Sequence, residues 1–190
     1  KRFLFVALLM TVFIIPGLFL INALRSSNRL FLGKTVNHVI FTVHNKTVRL
    51  KQGDRLQKDT RIQTKEDSTC DIQYAKKAAL HIYEGSEIAV TENNKNLISF
   101  MLNKGKMYIS ENINKDTRIT IFTKNAYIYA TGTIYSVAYN KSRVETIVKT
   151  FEGTIHIETI PGGKIIILNA GEEVIITDEK QIDTQTGILP

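Results

Sequence analysis

An uncharged apolar run near the start of the chain constrains its folding more than any other feature. The run extends from Phe3 to Leu24 and contains no Asp, Glu, Lys or Arg. Its 22 residues match the roughly 20 helical residues that span the hydrocarbon core of a bilayer, where a helix satisfies its own backbone groups. We therefore predict a transmembrane anchor over residues 1–25, with the N-terminus inside and the remaining chain outside.

A cleaved signal peptide is the alternative interpretation of this run. The apolar core of a signal peptide is usually about 7–15 residues long, and it ends at a cleavage site of the Ala-x-Ala type. The run here is longer, and Ala23 has Ile21 in place of a small residue two positions earlier. The length and the missing site favour a retained anchor.

Beyond the run, apolar residues alternate with a period of two, which is typical of β-strands. Turn signals rich in Gly, Asn and Asp separate many short apolar segments, and no helical pattern interrupts them. We predict an all-β domain, either a β-solenoid-like roll or a sandwich of many short strands. Its predicted bounds are residues 35–177, between a polar stalk at residues 26–34 and a polar C-terminal tail at residues 178–190.

Two stretches of the domain allow more specific predictions. The segments Leu97–Leu102 and Lys106–Ser110 are interpreted as separate strands, because the turn signal Asn103–Gly105 stands between them. The unbroken apolar segment Ile165–Leu168 is interpreted as a strand buried on both faces, as in stacked or closed sheets.

Charge and cysteine content exclude some classes of protein. The formal net charge is +7, from 25 Lys and Arg against 18 Asp and Glu. Four of the basic residues flank the apolar run, where such side chains anchor a helix at the lipid headgroups: Lys1, Arg2, Arg25 and Arg29. The remaining 21 basic against 18 acidic residues are too weakly basic for a nucleic-acid footprint. Cys70 is the sole cysteine, so no internal disulfide can form, and we expect a buried filler.

Glycine-centred elements recur in a fixed order along the predicted domain. The series comprises Val48 to Asp54, Leu102 to Tyr108, Gly132-Thr133-Ile134-Tyr135-Ser136-Val137, Glu152-Gly153-Thr154-Ile155-His156-Ile157 and Leu168 to Glu172. This ordered series, from about Val48 to Ile176, resembles the FecR-like domain, a periplasmic module named after a ferric-citrate signalling regulator. We interpret its glycines as turn formers that need positive φ or close backbone approach. The predicted motif turns are Gly53, Asp54, Gly105, Gly132, Thr133, Glu152, Gly153 and Gly171.

The resemblance implies an all-β domain in the periplasm, held by a single helix in a bacterial inner membrane. Regulators of the family combine a cytoplasmic anti-sigma domain, a helix, this β-domain and a small C-terminal signalling domain. The sequence matches the helix and the β-domain of that arrangement, so the resemblance extends to the fold further than to the signalling role. One departure is the segment Ala75–Ala78, where the family has an Asp-Gly turn before a strand.

No set of residues indicates catalysis, a cofactor or a metal site. The sequence has no Gly-x-Ser-x-Gly, phosphate-loop or His-Glu-x-x-His motif. Glu152, Glu172 and Glu173 are interpreted as solvated turn carboxylates rather than as an acid–base pair. The four histidines are too scattered for a zinc site: His38, His44, His81 and His156. We expect no enzyme activity, no cofactor, no metal and no small-molecule substrate.

Four tyrosines are the candidate partner-binding residues. Tyr127 and Tyr129 share one strand face, and Tyr135 and Tyr139 share another. One interpretation places them in the core with their hydroxyls at its edge. The other makes them a binding patch, since aromatic residues are enriched at interfaces.

These features predict a membrane-anchored periplasmic interaction or scaffold module that recruits another envelope protein through tyrosines and exposed strand edges. The first alternative is a trans-envelope signalling regulator of the anti-sigma type, which requires a cytoplasmic domain before Lys1. The second alternative is an envelope protein that binds peptidoglycan or another glycan by stacking the same tyrosines on sugars.

Overall fold

The fold consists of strands joined by turns throughout the part of the chain that can be described. The computed structural model describes residues 29–75, 77–112 and 117–177, and the backbone alone of residues 182–186. These residues contain sixteen strands: β1 (Leu30–Val36), β2 (Val39–Val43), β3 (Lys46–Val48), β4 (Arg61–Thr64), β5 (Thr69–Tyr74), β6 (Ala78–Ile82), β7 (Glu87–Asn93), β8 (Leu97–Glu111), β9 (Arg118–Phe122), β10 (Ala126–Ala130), β11 (Ile134–Asn140), β12 (Glu145–Glu152), β13 (Thr154–Thr159), β14 (Ile165–Asn169), β15 (Glu172–Ile176) and β16 (Ile182–Thr186). The predicted all-β class is confirmed.

Two sheets share the long strand β8. Sheet A has the order β1-β5-β6-β8-β11-β12-β15-β16, and sheet B has the order β3-β2-β4-β7-β8-β9-β10-β13-β14. Among the described pairings, only that of β8 with β9 is parallel. Coils of a parallel β-helix would stack in parallel, so the observed pairing corresponds to the sandwich-like alternative of the prediction.

Alternation along each strand builds the core between the two sheets. In β10, Ala126, Ile128 and Ala130 are buried while the intervening Tyr127 and Tyr129 face outward. Both sheets contribute to one buried apolar cluster in this way. Burial of each Leu, Ile or Phe side chain contributes about 1.5–3 kcal/mol, so the period-two pattern supplies most of the folding energy.

Strand β8 crosses from sheet B to sheet A at Gly105. Its first half pairs with β7 and β9, and its second half pairs with β6 and β11. The prediction of two separate strands, Leu97–Leu102 and Lys106–Ser110, was therefore wrong. The φ of 95° at Gly105 and a register shift beside Lys104 bend one continuous strand, so the turn signal marks a bend.

The other motif glycines do adopt the left-handed backbone expected of turn formers. Positive φ occurs at Gly53, Gly132, Gly153 and Gly171. The substituted turn at Ala75–Ala78 also works without glycine: Ala75 itself has a φ of 48°, and the Lys77 amide donates to the Tyr74 carbonyl at 3.0 Å. The departure from the family pattern leaves the β5–β6 hairpin intact.

Strands occur on both sides of the predicted domain bounds. Strand β1 begins at Leu30, inside the predicted stalk, because Leu30 and Leu32 are buried against β5. Strand β16 lies inside the predicted polar tail and pairs with β15. The predicted transmembrane run Phe3–Leu24 lies outside the described residues, and within those residues there is no helix long and apolar enough to cross a membrane.

The prediction that Ile165–Leu168 is buried on both faces was wrong. Leu168 is buried, but Ile165 is 63% exposed and Ile167 is 54% exposed. Strand β14 is the edge of sheet B, and its outer face has no covering layer in the described structure. A run of isoleucines correctly predicts a strand, but it does not indicate whether both faces of that strand are covered by other parts of the protein.

Candidate functional site

The outer face of sheet B carries a continuous row of side chains that crosses seven strands. Register pairs link the members one to the next. From β4 to β14 the row contains Arg61, Ala89, Met101, Phe122, Tyr127, Glu158 and Ile165. A second row, in register beside it, contains Ser99, Thr120, Tyr129, His156 and Ile167.

Where the two rows cross β9, β10, β13 and β14, the side chains form what we call the aromatic face. Its aromatic and large apolar members are Phe122, Tyr127, Tyr129, His156, Ile165 and Ile167, and the exposed Glu158 lies among them between Tyr127 and Ile165. The exposed isoleucines lie at its open end, and the tyrosines are half-buried. Large apolar side chains in water at this density are uncommon on a monomer surface and mark interaction sites.

The rings of the aromatic face pack against one another in a fixed order. Ring centroids lie 4.8 Å apart for Phe122 and Tyr127, and 5.3 Å apart for Tyr127 and Tyr129. The His156 ring stacks on Tyr129 at 5.3 Å with an interplanar angle of 9°. The Arg118 guanidinium lies 5.0 Å from the Tyr129 centroid, in cation–π range. These contacts order the side chains in advance, which lowers the entropic cost of binding.

Asn125 holds the hairpin that presents the two tyrosines. This buried residue, between β9 and β10, donates to the Val144 carbonyl at 2.8 Å and to the Ile176 carbonyl at 2.9 Å. Its side-chain oxygen accepts from Thr123 and from Thr146. Since Val144 and Ile176 belong to the opposite side of the sandwich, the amide fixes the aromatic face relative to sheet A.

The burial of the four predicted tyrosines separates them into two pairs. Tyr127 and Tyr129 share the outer face of β10, as their spacing predicted. Tyr135 is fully buried and Tyr139 is 5% exposed, so both belong to the core. For these two the patch interpretation was wrong, because the alternation of β11 directs their side chains into the core.

Residues that sequence reasoning did not assign to the site complete it. Phe122, His156, Ile165 and Ile167 lie on three different strands around the tyrosines. The family motif includes His156 only as part of a predicted strand. Only the strand order, which brings β14 beside β13 and β13 beside β10, puts them together.

A cleft continues the aromatic face toward β4. Its volume is about 870 Å³, and the β2–β3 hairpin tip at His44 and Asn45 contributes to its wall. Arg61 and Lys141 line it together with Asp59 and Glu87, so both charge signs are present. This mixed lining singles out no small ligand, and no group of three metal-ligating side chains occurs among the described residues.

The outer face of sheet A also has aromatic rings, and it carries two ion pairs. His81 Nδ1 lies 2.6 Å from Asp71 Oδ1, and Lys149 Nζ lies 3.7 Å from Glu173 Oε2. Tyr108 packs on Phe151 with ring centroids 5.7 Å apart. Among the side chains that are described, this face has no pair of exposed isoleucines, and we use it below as the matched control surface.

One buried acid lies apart from both faces. Glu111, at the end of β8, is 5% exposed, and its Oε1 accepts from the Tyr135 hydroxyl at 2.9 Å. Burial raises the pKa of the Glu111 carboxyl to about 8, although the hydrogen bond from Tyr135 opposes the shift. Burial, and then the neighbouring Glu111, raise the pKa of Tyr135 well above its usual range. The carboxyl is therefore mostly protonated at neutral pH.

The fold and the aromatic face together define an all-β module in which ordered aromatic and apolar side chains lie on one outer sheet face. The sequence profile of the FecR protein family matches residues 60–156, just over half of the 190-residue chain. The chain belongs to the FecR family.

Comparison with solved structures shows the same fold at low sequence identity. Two crystal structures of a candidate anti-sigma factor from Parabacteroides distasonis, at 2.50 and 1.65 Å resolution, each align with a TM-score of 0.59 and 12% identity. Each alignment covers 66% of this chain and 59% of the other, so this chain spans less than two thirds of the chain that it matches. A search of curated proteins gave no match.

Proposed function

We propose that this chain is the extracytoplasmic part of a FecR-type signalling regulator, and that its aromatic face binds the protein partner in the relay. Membership of the FecR family supports the regulatory role. The fold shared with a candidate anti-sigma factor is consistent with it. The observation that carries the binding role is the ordered set of exposed apolar and aromatic side chains on one face of sheet B.

The proposed partner is another protein of the cell envelope. Tyr, Phe and Arg are enriched in interface centres, and Tyr127, Phe122 and Arg118 lie together on this face. Contact with such a surface needs no catalytic group on this chain. In this proposal the domain faces the periplasm of a bacterium and the run Phe3–Leu24 holds it to the inner membrane.

Replacement of Tyr129 by alanine should weaken partner binding about tenfold, because central interface aromatics typically contribute more than about 1.4 kcal/mol. The measurement is photo-crosslinking of the full chain in native membranes, with a photoreactive phenylalanine at Tyr127 and the Tyr129→Ala change added. The product should be a single heavier band that fades in the Tyr129→Ala variant.

Tyr108→Ala is the matched control, because Tyr108 is also a half-buried strand tyrosine but lies on sheet A. It should leave the crosslink from Tyr127 unchanged. If the crosslinked product decreased equally in Tyr129→Ala and Tyr108→Ala, or if position 127 gave no product with another protein, the aromatic face would not be the binding site. To separate a relay from a passive scaffold, transcripts are compared between wild type and Tyr129→Ala: a relay changes a defined gene set, whereas a scaffold does not.

A further inference from the structure

The edge strand β14 differs from the other edges of the two sheets whose side chains are described. Strand β1 is protected, since Leu32 exchanges hydrogen bonds of 2.8 Å with Asp54 and Gly53. It also has a register shift between Leu32 and Thr35 and an exposed Lys34. Strand β3 is three residues long and begins with an exposed Lys46. Short length, bulges and lysines are the usual means of blocking pairing at an edge.

Strand β14 has no bulge and no lysine within its length, although the Asn169 amide at its end already donates to Glu172 Oε2 at 2.6 Å. It contains five residues without a charge or a proline, and among the described strands it pairs with β13 alone. The turn before it is fixed, because Thr159 N donates to Lys164 O and Gly163 N donates to Thr159 O, each at 3.0 Å. A straight, anchored edge with exposed Ile165 and Ile167 is a template for another strand.

We propose that β14 pairs antiparallel with β14 of a second copy of this chain, and so forms a homodimer with one continuous sheet. An antiparallel pair of identical strands is self-complementary about a two-fold axis. Registers that keep odd-numbered side chains on one face place Ile167 opposite Ile167 or opposite Ile165 of the second copy. The exposed isoleucines of the two copies then contact each other, and part of their surface is removed from water.

The charges at the ends of β14 select the same arrangement. Lys164 precedes the strand. Glu172, the first residue of β15, follows it and accepts from the Asn169 amide of its own copy at 2.6 Å. Antiparallel pairing brings Lys164 of each copy toward Glu172 of the other, whereas parallel pairing would place the two lysines side by side. The two aromatic faces become one surface of double width, because they flank the new pair through His156 and Tyr129.

The test uses the full chain in native membranes and a short bismaleimide crosslinker. The native Cys70 is fully buried, and burial raises the pKa of its thiol to about 12, so wild type should give no product. Ile165→Cys and Ile167→Cys should each give a band of twice the chain mass. Lys34→Cys, exposed on the edge strand β1, is the matched control and should remain monomeric.

A second variant distinguishes pairing from random collision. Adding Ile167→Lys to Ile165→Cys places two like charges near the axis and should reduce the dimer band at least tenfold. A dimer band that survives this change, or that appears equally with Lys34→Cys, would overturn the proposal. So would a product that contains a different protein, which would identify β14 as an edge for a heterologous strand. Crosslinking from Tyr127 reports the proposed function separately, because its product is heterologous.

Discussion

Replacement of Gly105 by alanine is expected to destabilise the protein by at least about 3 kcal/mol, and so to lower its urea midpoint strongly. A Cβ atom built at Gly105 would lie 2.5 Å from the Cα of Ser86 and closer still to its Oγ. Ser86 cannot move away, because it is buried and its Oγ accepts from the Lys106 amide at 3.0 Å. Its own amide donates to Thr64 Oγ1 at 2.9 Å.

Gly53→Ala is the matched control for this prediction. Gly53 has a φ of 88°, close to the 95° of Gly105, but nothing lies within 4 Å of a Cβ built there. Its replacement should cost only the backbone term of about 1–2 kcal/mol. Urea denaturation followed by far-UV circular dichroism measures both variants. If both substitutions lowered the free energy of unfolding by similar amounts, the contact with Ser86 would not constrain β8. Backbone conformation alone would then explain why the family motif has glycine at these positions.

The pair Gly53 and Gly105 shows which parts of the fold the sequence could predict. The ordered glycine motif identified the family and the positions of positive φ. It did not reveal that Gly105 lies inside one strand, because a bend and a turn use the same local residues. That distinction depends on β6 and β11, which pair with the second half of β8 from distant parts of the chain.

For a similar reason, the sequence could predict only part of the candidate site. Spacing placed Tyr127 and Tyr129 together, but the same spacing in β11 gave Tyr135 and Tyr139, which are core residues. A period of two indicates that alternate side chains share a face of the strand, but it does not indicate which face is exposed to solvent. The exposure of Ile167 depends on the absence of a third layer over sheet B in the described structure, which no local pattern encodes.

The stability of the protein is expected to fall by about 3 kcal/mol between pH 5 and pH 8, because of Glu111. Its carboxyl has a pKa of about 8 when folded, against 4.5 in an exposed chain. Between those values the folded protein holds a proton that the unfolded chain has released, so rising pH favours unfolding. Well above pH 8 both states are ionised and this slope ends.

The Glu111→Gln variant should lose this pH dependence and should be more stable than wild type at pH 8. Glutamine has the same shape, cannot ionise, and keeps an oxygen that accepts from the Tyr135 hydroxyl. Urea midpoints of both proteins at pH 5, 6, 7 and 8 give the difference directly. All other ionisable groups are the same in both proteins, so their contributions cancel in that difference.

Glu152→Gln is the control, because Glu152 is a carboxylate of the same type at the end of β12 but exposed to solvent. Its pH profile should follow that of wild type within about 0.5 kcal/mol, as for most surface substitutions. Tyr135→Phe should instead extend the loss of stability to higher pH, since it removes a hydrogen bond that lowers the pKa of Glu111. A Glu111→Gln profile parallel to wild type would show that this buried carboxyl is not the group that titrates.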